Sequence, residues 1–326
     1  TGMDVMDETH DSKLRSWVEV DENSDFPIQN IPFGIYRPKG GGDLHVATAI
    51  GDYVLDLAHL DDAGLFNGTE VEGTEVFHEP TLNAFMSMGR KTLKETRLVI
   101  SRLLRQEAFD GDLGNNNDLK NMALISMNEV EMQLPVDIGD YTDFYSSKEH
   151  ATNVGKMFRP DGEPLLPNWL HLPVAYHGRA SSVVLSGTDI VRPKGQTKTP
   201  DASVPSFGNS ERLDFELEMG VFIGAGNNLG EAVSVNAAEN HIFGLALVND
   251  WSARDIQTWE YQPLGPFLAK NFATSISPWI VTLEALEPFR CSGPKQDPKP
   301  LEYLRNTKDS TFDINLGIYL KTENMD

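Results

Sequence analysis

Acidic side chains recur on one face of a predicted strand, LDFELEMGV at residues 213–221. Because alternate side chains of a strand point to the same side, Asp214, Glu216 and Glu218 share one face and the apolar residues share the other. Glu216 and Glu218 would stand roughly 7 Å apart, within reach of one cation. Taken alone, the pattern is also typical of a solvated sheet face, so both interpretations remain open.

A fourth carboxylate comes at the end of the apolar run IFGLALVND. The run predicts a strand that ends at Asp250, and a helix is predicted to begin at Ser252. The carboxylate then lies at a strand-to-helix junction, where functional residues often collect. Along the helix, Arg254, Gln257 and Tyr261 share one face by their spacing. A helix cap and an ordinary wet helix face are the alternative interpretations.

The segment YTDFYSSKEHATNVGKMFR adds a histidine to these acidic groups. Ser146 and Glu149 match a capping box, which predicts that a helix begins here with His150 in its first turns. A lone histidine is more often structural than catalytic, but this one has polar neighbours that raise the case for chemistry. Those neighbours are Asp143, Tyr145 and Arg159.

Four of these five carboxylates need a cation if they converge. Mutual repulsion among Asp143, Glu216, Glu218 and Asp250 would require a hard ion such as Ca²⁺, Mg²⁺ or Mn²⁺. The eight histidines include no H-x-x-x-H or H-E-x-x-H pair, so the sequence offers no helical histidine pair for a metal. Periodicity by itself does not establish that the carboxylates meet.

Composition limits the classes of protein to consider. The chain has 326 residues, with 27 Lys plus Arg against 49 Asp plus Glu and a net charge of −22. Such an acidic chain is not expected to bind nucleic acid or an anionic membrane through bulk charge. The polar start TGMDVMDETHDSK has no apolar core of a secretory signal, and the single cysteine excludes an internal disulfide. A cytoplasmic location is the expectation.

The elements predict a mainly β, α+β protein. Residues 1–25 are interpreted as a flexible arm, residues 26–134 as a small barrel domain with a helical segment over 81–108, and residues 135–326 as a second, mostly β domain. Short strands FGIYR, LHVATAI and YVLDL with tight turns favour the barrel. LDFELEMGVFIG, SPWIVTLEAL and TFDINLGIYLKTE are interpreted as strands of the second domain.

Three further features have plainer interpretations. GAGNNLG at 224–230 lacks the glycine spacing and the following helix of a dinucleotide loop, so a turn between strands is favoured. Asn67 begins a glycosylation sequon, but without a signal peptide a turn is favoured. Cys291 has no adjacent histidine and is interpreted as an inert small residue.

Long motifs nevertheless resemble one family. SDFPIQNIPFGIY, IGDYTDFYSSKEHATNVG, RLDFELEMGVFIG, HIFGLALVNDWSARDIQTWEYQPLGPFLAKNFATSISPW and PKQDPKPLEYL are similar to the fumarylacetoacetase family from about Ser24 onward. The resemblance implies an SH3-like N-terminal barrel, a C-terminal β-roll and a homodimer. It implies hydrolysis of 4-fumarylacetoacetate to fumarate and acetoacetate, the last step of tyrosine and phenylalanine degradation.

The resemblance also implies roles for particular residues. His150 would be the general base, and the leaving carbanion would be stabilised by Arg254, Gln257 and Lys270. Substrate would contact Tyr145, Arg159, Gln257 and Tyr261. Calcium would be held by Asp143, Glu216, Glu218 and Asp250, and magnesium would lie near Asp250, Lys270 and Thr274. A protonated lysine has no lone pair, so Lys270 would ligate through its backbone carbonyl.

The resemblance leaves alternatives open. In the family a further C-terminal segment carries a substrate loop and a Glu that orients the catalytic histidine, so a catalytically inactive truncated form that keeps the metal site is one alternative. A related decarboxylase, hydratase or isomerase with a similar carboxylate-held metal is another. The barrel domain and the DFYSSKEHATNVG stretch favour the hydrolase.

Overall fold

Five short strands pair into one antiparallel sheet in a computed structural model that describes residues 6–308 and 310–325. The strands are β1 (Phe33–Pro38), β2 (His45–Ile50), β3 (Tyr53–Asp56), β4 (Leu124–Ser126) and β5 (Val130–Gln133). They lie in the order β4-β3-β2-β1-β5. The predicted strands FGIYR, LHVATAI and YVLDL are therefore confirmed as β1 to β3.

Four helices pack beside this sheet: α1 (Leu57–Asp62), α2 (Asn83–Ser87), α3 (Arg90–Leu104) and α4 (Asn117–Ala123). The helical segment predicted over 81–108 is thus two helices. Gly89 separates them with φ +86, a left-handed conformation that favours glycine. The apolar face of α3, with Leu93, Ile100 and Leu104 buried, packs into the main core.

The predicted flexible arm is wrong for the residues that the structure describes, and residues 1–5 lie outside them. A 3-10 turn at Glu8–His10 buries Thr9, and the His10 ring lies 2.7 Å from the carbonyl oxygen of Glu284. The Trp17 indole donates to the Leu103 carbonyl at 2.8 Å. A polar segment can pack in this way because its backbone and side chains are hydrogen-bonded.

Arg97 on α3 holds this segment in place, and its loss should destabilise the fold. Its fully buried guanidinium donates to the Thr9 hydroxyl at 3.0 Å and to the carbonyls of Gln29 and Asn30. Arg97→Met leaves three buried oxygen acceptors without their hydrogen-bond donor. We therefore expect urea denaturation to show a free energy of unfolding about 2–4 kcal/mol lower than that of the native chain. Arg102→Met, which removes an exposed pair with Glu8, should change stability by less than about 0.5 kcal/mol. Equal effects of both variants would contradict this account.

The rest of the chain forms short strands around three helices. The helices are α5 (Lys148–Phe158), α6 (Arg254–Glu260) and α7 (Leu283–Leu286). The strands are β6 (Thr142–Phe144), β7 (Ala175–His177), β8 (Val183–Leu185), β9 (Lys194–Thr197), β10 (Ser206–Asn209), β11 (Leu213–Asp214), β12 (Leu217–Ile223), β13 (Ile242–Asp250), β14 (Ser252–Ala253), β15 (Thr274–Ile276), β16 (Val281–Thr282), β17 (Arg290–Cys291) and β18 (Thr311–Phe312).

One sheet organises this second part, in the order β12-β13-β15-β8 with β16 also paired to β13. Four pairs of strands stand apart from it: β6 with β7, β9 with β10, β11 with β14, and β17 with β18. The long β12–β13 pairing, Leu217 opposite Asn249 through Ile223 opposite Ile242, confirms the predicted strand IFGLALVND, which is only partly buried because Leu247 is half exposed. The sheet thereby fixes where the ends of β12 and β13 place their side chains.

Three other strand predictions are only partly right. LDFELEMGVFIG is divided because β11 leaves the main sheet to pair with β14. SPWIVTLEAL forms only β16 and then turns into α7, whose first turn is capped by the Thr282 hydroxyl. TFDINLGIYLKTE pairs only through β18, and the side chains of Leu316 and Ile318 are 50% and 56% exposed rather than alternately buried.

The two predicted domains share a core. Phe33 on β1 and Ile280 exchange backbone hydrogen bonds of 3.0 and 2.9 Å, and Phe243 of β13 is buried in the same cluster as the N-terminal residues. The mixture of sheets and helices confirms the α+β class. Within the described residues, every helix is too short or too polar to cross a bilayer.

Candidate active site

The predicted carboxylates come from three separate elements of the second part of the chain. Asp143 lies on β6, Glu218 on β12, and Asp250 is the last residue of β13. One carboxylate oxygen from each of the three residues lies within 4.8 Å of the other two. The structure therefore brings these three side chains together into one acidic cluster.

The acidic cluster is electrostatically strained as it stands. Burial, reinforced by the charges of Asp143, Asp250 and Glu216, raises the pKa of Glu218 to about 8. Burial and the charges of Asp143 and Glu216 likewise raise the pKa of Asp250 to about 6, despite the nearby ammonium of Lys270. Burial also raises the pKa of Asp143. Such shifts mark a place where a cation would be favourable.

Glu216 lies beside the acidic cluster but is held by cations. Its carboxylate accepts from Lys270 Nζ at 2.6 Å and from Arg254 Nη2 at 2.5 Å. Although burial acts in the opposite direction, His150, Lys270 and Arg254 hold the pKa of Glu216 well below its usual value. Glu216 lies in the break between β11 and β12, whereas Glu218 lies on β12, so the two carboxylates are not on one continuous strand.

Lys270 links the two groups of acids. Its ammonium donates to Glu216 and, at 2.5 Å, to Asp250. Although burial acts in the opposite direction, these two carboxylates hold the pKa of Lys270 above its usual value, so a buried positive charge is maintained here. Arg254 extends the network, donating to Asp214 at 2.8 Å and to Gln257 Oε1 at 3.0 Å.

His150 faces this network from α5. The helix begins at Lys148 with the Ser147 hydroxyl accepting from the His150 backbone, one residue later than the predicted cap at Ser146. The imidazole Nε2 lies 3.5 Å from Glu216 Oε1, and 40% of the side chain is exposed. The histidine thus combines a carboxylate neighbour with access for a solvent molecule.

Each predicted substrate residue has an identified partner in the structure. The Tyr145 ring stacks edge-on against His150 at 5.7 Å, and Tyr261 ends α6 with its ring 5.2 Å from Phe158. Gln257 is bound to Arg254. Arg159 instead donates to the carbonyls of Glu163 and Pro164 in its own loop, so its guanidinium is engaged locally.

Sequence reasoning missed two polar neighbours of the site. The predicted residue Thr274 pairs with Asp250 across the sheet. Its hydroxyl lies 3.2 Å from the hydroxyl of Tyr141, which the sequence analysis did not identify. The missed Tyr176 pairs with Asp143 in the β6–β7 hairpin. Asp214, which the sequence placed on the acidic face of LDFELEMGV without a role, accepts a hydrogen bond from Arg254.

Comparison with known proteins identifies the family. Residues 29–135 match the fumarylacetoacetase N-terminal family model, and residues 140–321 match the fumarylacetoacetate (FAA) hydrolase C-terminal model. A fumarylacetoacetase of Arabidopsis thaliana is 51% identical over 96% of this chain and 74% of its own length. The chain belongs to the fumarylacetoacetase family. The human fumarylacetoacetase is 51% identical over 95% of this chain and 73% of its own length.

Family membership confirms the resemblance and the hydrolase class expected from the sequence. A solved fumarylacetoacetate hydrolase from Exiguobacterium antarcticum aligns with this chain with a TM-score of 0.41 at 15% identity, covering 78% of this chain and 68% of that chain. The assignment rests on the sequence relatives, which extend over both parts of the chain.

The residues present fit a hard cation. Asp143, Glu218 and Asp250 offer only oxygen ligands, the set that Ca²⁺, Mg²⁺ and Mn²⁺ prefer. The buried hydroxyl of Tyr176 has no hydrogen-bond partner among the described residues, although it belongs to the strand paired with Asp143. A polar group left without a partner beside an acidic cluster is consistent with a further ligand at this place.

Proposed function

We propose that this chain hydrolyses 4-fumarylacetoacetate to fumarate and acetoacetate, the last step of tyrosine and phenylalanine degradation, in the cytoplasm. The observation that carries the proposal is the meeting of the acidic cluster with the network of His150, Glu216, Lys270 and Arg254. Half-identical fumarylacetoacetases over nearly the whole chain support the same substrate.

The proposed cofactors are Ca²⁺ at the acidic cluster and Mg²⁺ near Lys270 and Thr274. Asp143, Glu218 and Asp250 supply oxygen ligands for the first ion, and Glu216 would join them only by exchanging its bonds with Lys270 and Arg254. When bound, a divalent cation polarises the diketone oxygens of the substrate.

His150 is proposed as the general base that takes a proton from the attacking water. Its exposed imidazole can reach a water molecule, and the Glu216 carboxylate at 3.5 Å favours the imidazolium that forms. The water oxygen bonds to the carbonyl carbon of the fumaryl group. The carbon–carbon bond then breaks, and its electron pair leaves as the enolate of acetoacetate, which takes up a proton.

Arg254, Gln257 and Lys270 are proposed to stabilise the leaving enolate. Fixed positive charge stabilises a developing anion best when the surrounding protein already holds it in place. The contacts of Arg254 with Asp214 and Gln257, and of Lys270 with Asp250, hold both cations in this way. The two long side chains therefore need little reorganisation when charge develops.

Tyr145, Arg159, Gln257 and Tyr261 are proposed to bind substrate. The Tyr145 ring contacts His150, and Tyr261 ends the helix that carries Arg254 and Gln257. Arg159 can hold a substrate carboxylate through two hydrogen bonds once it releases the carbonyls of its loop. This release would couple substrate arrival to a movement of the loop at Glu163 and Pro164.

Turnover of 4-fumarylacetoacetate tests the proposed function. The diketone absorbance should fall when the chain, Ca²⁺ and Mg²⁺ are present, and fumarate and acetoacetate should appear in a one-to-one ratio. Release of CO₂, or a product of unchanged mass, would instead assign the site to a decarboxylase or an isomerase. No loss of substrate by the folded, cation-loaded chain would overturn the proposal.

An SH3-like barrel and a β-roll are the proposed descriptions of the two parts, and a homodimer is the proposed assembly. The five short antiparallel strands of the N-terminal sheet support the first description. An apolar face of the β12–β13 sheet supports the assembly, because Val221, Ile223 and Leu247 are each at least half exposed. Contiguous exposed apolar side chains of this kind typically mark an interface.

A charged residue in this face should break the dimer. We expect the native chain to sediment as a dimer and Val221→Lys as a monomer, because an ammonium buried without a partner is costly. Val191→Lys, on an exposed irregular segment, is the matched control and should remain dimeric. A monomeric native chain, or a dimeric Val221→Lys variant, would contradict the proposed assembly.

A further inference from the structure

A second cluster of metal-type side chains lies in the N-terminal sheet, away from the residues given roles in hydrolysis. The ligand atoms of His45, Asp56 and His59 all lie within 4.8 Å of one another. Asp56 Oδ2 is 2.7 Å from His45 Nδ1 and 3.0 Å from His59 Nδ1. Two imidazole nitrogens therefore converge on a single carboxylate oxygen.

The fold, and not a local motif, produces this convergence. Asp56 ends β3 opposite Ala47 of β2, which places His45 two residues along the neighbouring strand on the same face. Asp56 also caps α1, because its side chain accepts a hydrogen bond from the His59 backbone at 2.9 Å. This cap brings the His59 ring close to the Asp56 carboxylate. The three residues are thus positioned by a hairpin and the first turn of a helix.

The carboxylate at the centre is buried, while the two histidine side chains are partly exposed. Asp56 is fully buried, and the Tyr36 hydroxyl also donates to its Oδ2. The His45 and His59 side chains are 22% and 33% exposed, which leaves one side of the cluster open to solvent. An ion could enter from this side and keep water as a further ligand.

One atom of the cluster lacks a satisfactory partner. His59 Nδ1 is buried and makes no hydrogen bond of acceptable geometry within the described residues, despite its 3.0 Å distance from Asp56. A buried ring nitrogen without a hydrogen bond is uncommon in a purely structural network. Its lone pair is available to a metal ion if the proton resides on Nε2.

We propose that His45, Asp56 and His59 form a binding site for a divalent transition-metal ion, with Zn²⁺ as the preferred ion. Two imidazoles and one carboxylate, with water completing the shell, are a common Zn²⁺ ligand set. The acidic cluster offers only oxygens and favours harder ions. The two sites therefore differ in donor chemistry and can be filled separately.

Calorimetric titration with Zn²⁺ tests the proposal, with excess Ca²⁺ present to occupy the acidic cluster. The native chain should bind one Zn²⁺, and its melting temperature should rise with Zn²⁺ concentration. His59→Gln and His45→Gln should each weaken Zn²⁺ binding at least about 10-fold. His171→Gln, at an exposed histidine elsewhere, is the matched control and should bind as the native chain does.

Other outcomes separate a metal site from a hydrogen-bonded network. If the native chain takes up no Zn²⁺, or if both variants bind it as tightly as the control, the cluster is not a metal site and the proposal fails. Circular dichroism confirms that each variant is folded, and the less buried His59→Gln serves if His45→Gln unfolds. Zn²⁺ uptake is measured without substrate, so it does not depend on the proposed hydrolysis.

Discussion

Glu218→Gln is expected to abolish turnover and weaken Ca²⁺ binding while making the cation-free fold more stable. Glu218 stands among Asp143, Asp250 and Glu216, and burial with these like charges raises its pKa to about 8 from a usual 4.5. Because the pKa of Glu218 is higher in the folded than in the unfolded chain, the free energy of unfolding falls as pH rises from 4.5 to about 8. The neutral amide removes this cost but also removes an anionic ligand.

Chemical denaturation at pH 8 in chelator should show about 1–3 kcal/mol greater stability for Glu218→Gln than for the native chain. The gain should disappear below about pH 4.5, the usual pKa of the side chain. Calorimetry should show Ca²⁺ affinity reduced at least about 10-fold. Glu302→Gln, at an exposed carboxylate, should change neither quantity. A destabilised variant with native Ca²⁺ affinity would contradict the acidic cluster as a cation site.

His150→Gln is expected to lose hydrolysis and keep cation binding. The imidazole lies 3.5 Å from Glu216 and is not one of the three side chains of the acidic cluster. Losing a general base typically costs about 10²–10⁴-fold in rate, so kcat should fall by that amount. The KM for 4-fumarylacetoacetate should change much less than kcat, because glutamine keeps the side chain polar and of similar length.

Steady-state kinetics and Ca²⁺ calorimetry on the same preparation check this expectation. His171→Gln is again the matched control and should retain the native rate. A His150→Gln variant with near-native kcat would remove His150 from the mechanism. A variant that loses Ca²⁺ binding instead would place the imidazole in the cation site rather than on the water.

Local patterns in the sequence were sufficient for much of the fold and part of the site. The apolar run before Asp250 correctly predicted a strand that ends at this carboxylate, although the strand is only partly buried. The helix after it begins at Arg254 rather than Ser252, because Ser252 and Ala253 first pair with β11. Such a pairing joins residues about forty positions apart, and no local spacing encodes it.

The surroundings of Glu216 could not be predicted for a similar reason. Strict alternation placed Glu216 and Glu218 together, but the chain leaves the strand between Asp214 and Leu217. Glu216 then reaches Lys270 and Arg254, which come from elements that follow it in the chain. The partners of a buried charge depend on tertiary contacts, and periodicity reports only which side of a strand a residue occupies.

Helical spacing alone does not reveal the histidine cluster. His45 and His59 meet only when β2 pairs with β3 and α1 follows directly, which requires the hairpin register and the Asp56 cap together. The strand predictions for β2 and β3 were correct. Combining them with the register would have placed His45 diagonally across from Asp56 and revealed the cluster.

Hydrolysis of 4-fumarylacetoacetate in ¹⁸O-labelled water tests the central claim most directly. The proposed reaction forms a bond between the water oxygen and the fumaryl carbonyl carbon, so mass spectrometry should find one ¹⁸O in the fumarate carboxylate. In D₂O, the acetoacetate should carry a new deuterium on its methyl carbon. Fumarate without enzyme-dependent ¹⁸O, or substrate returned as an isomer or with loss of CO₂, would contradict a carbon–carbon bond hydrolase at this site.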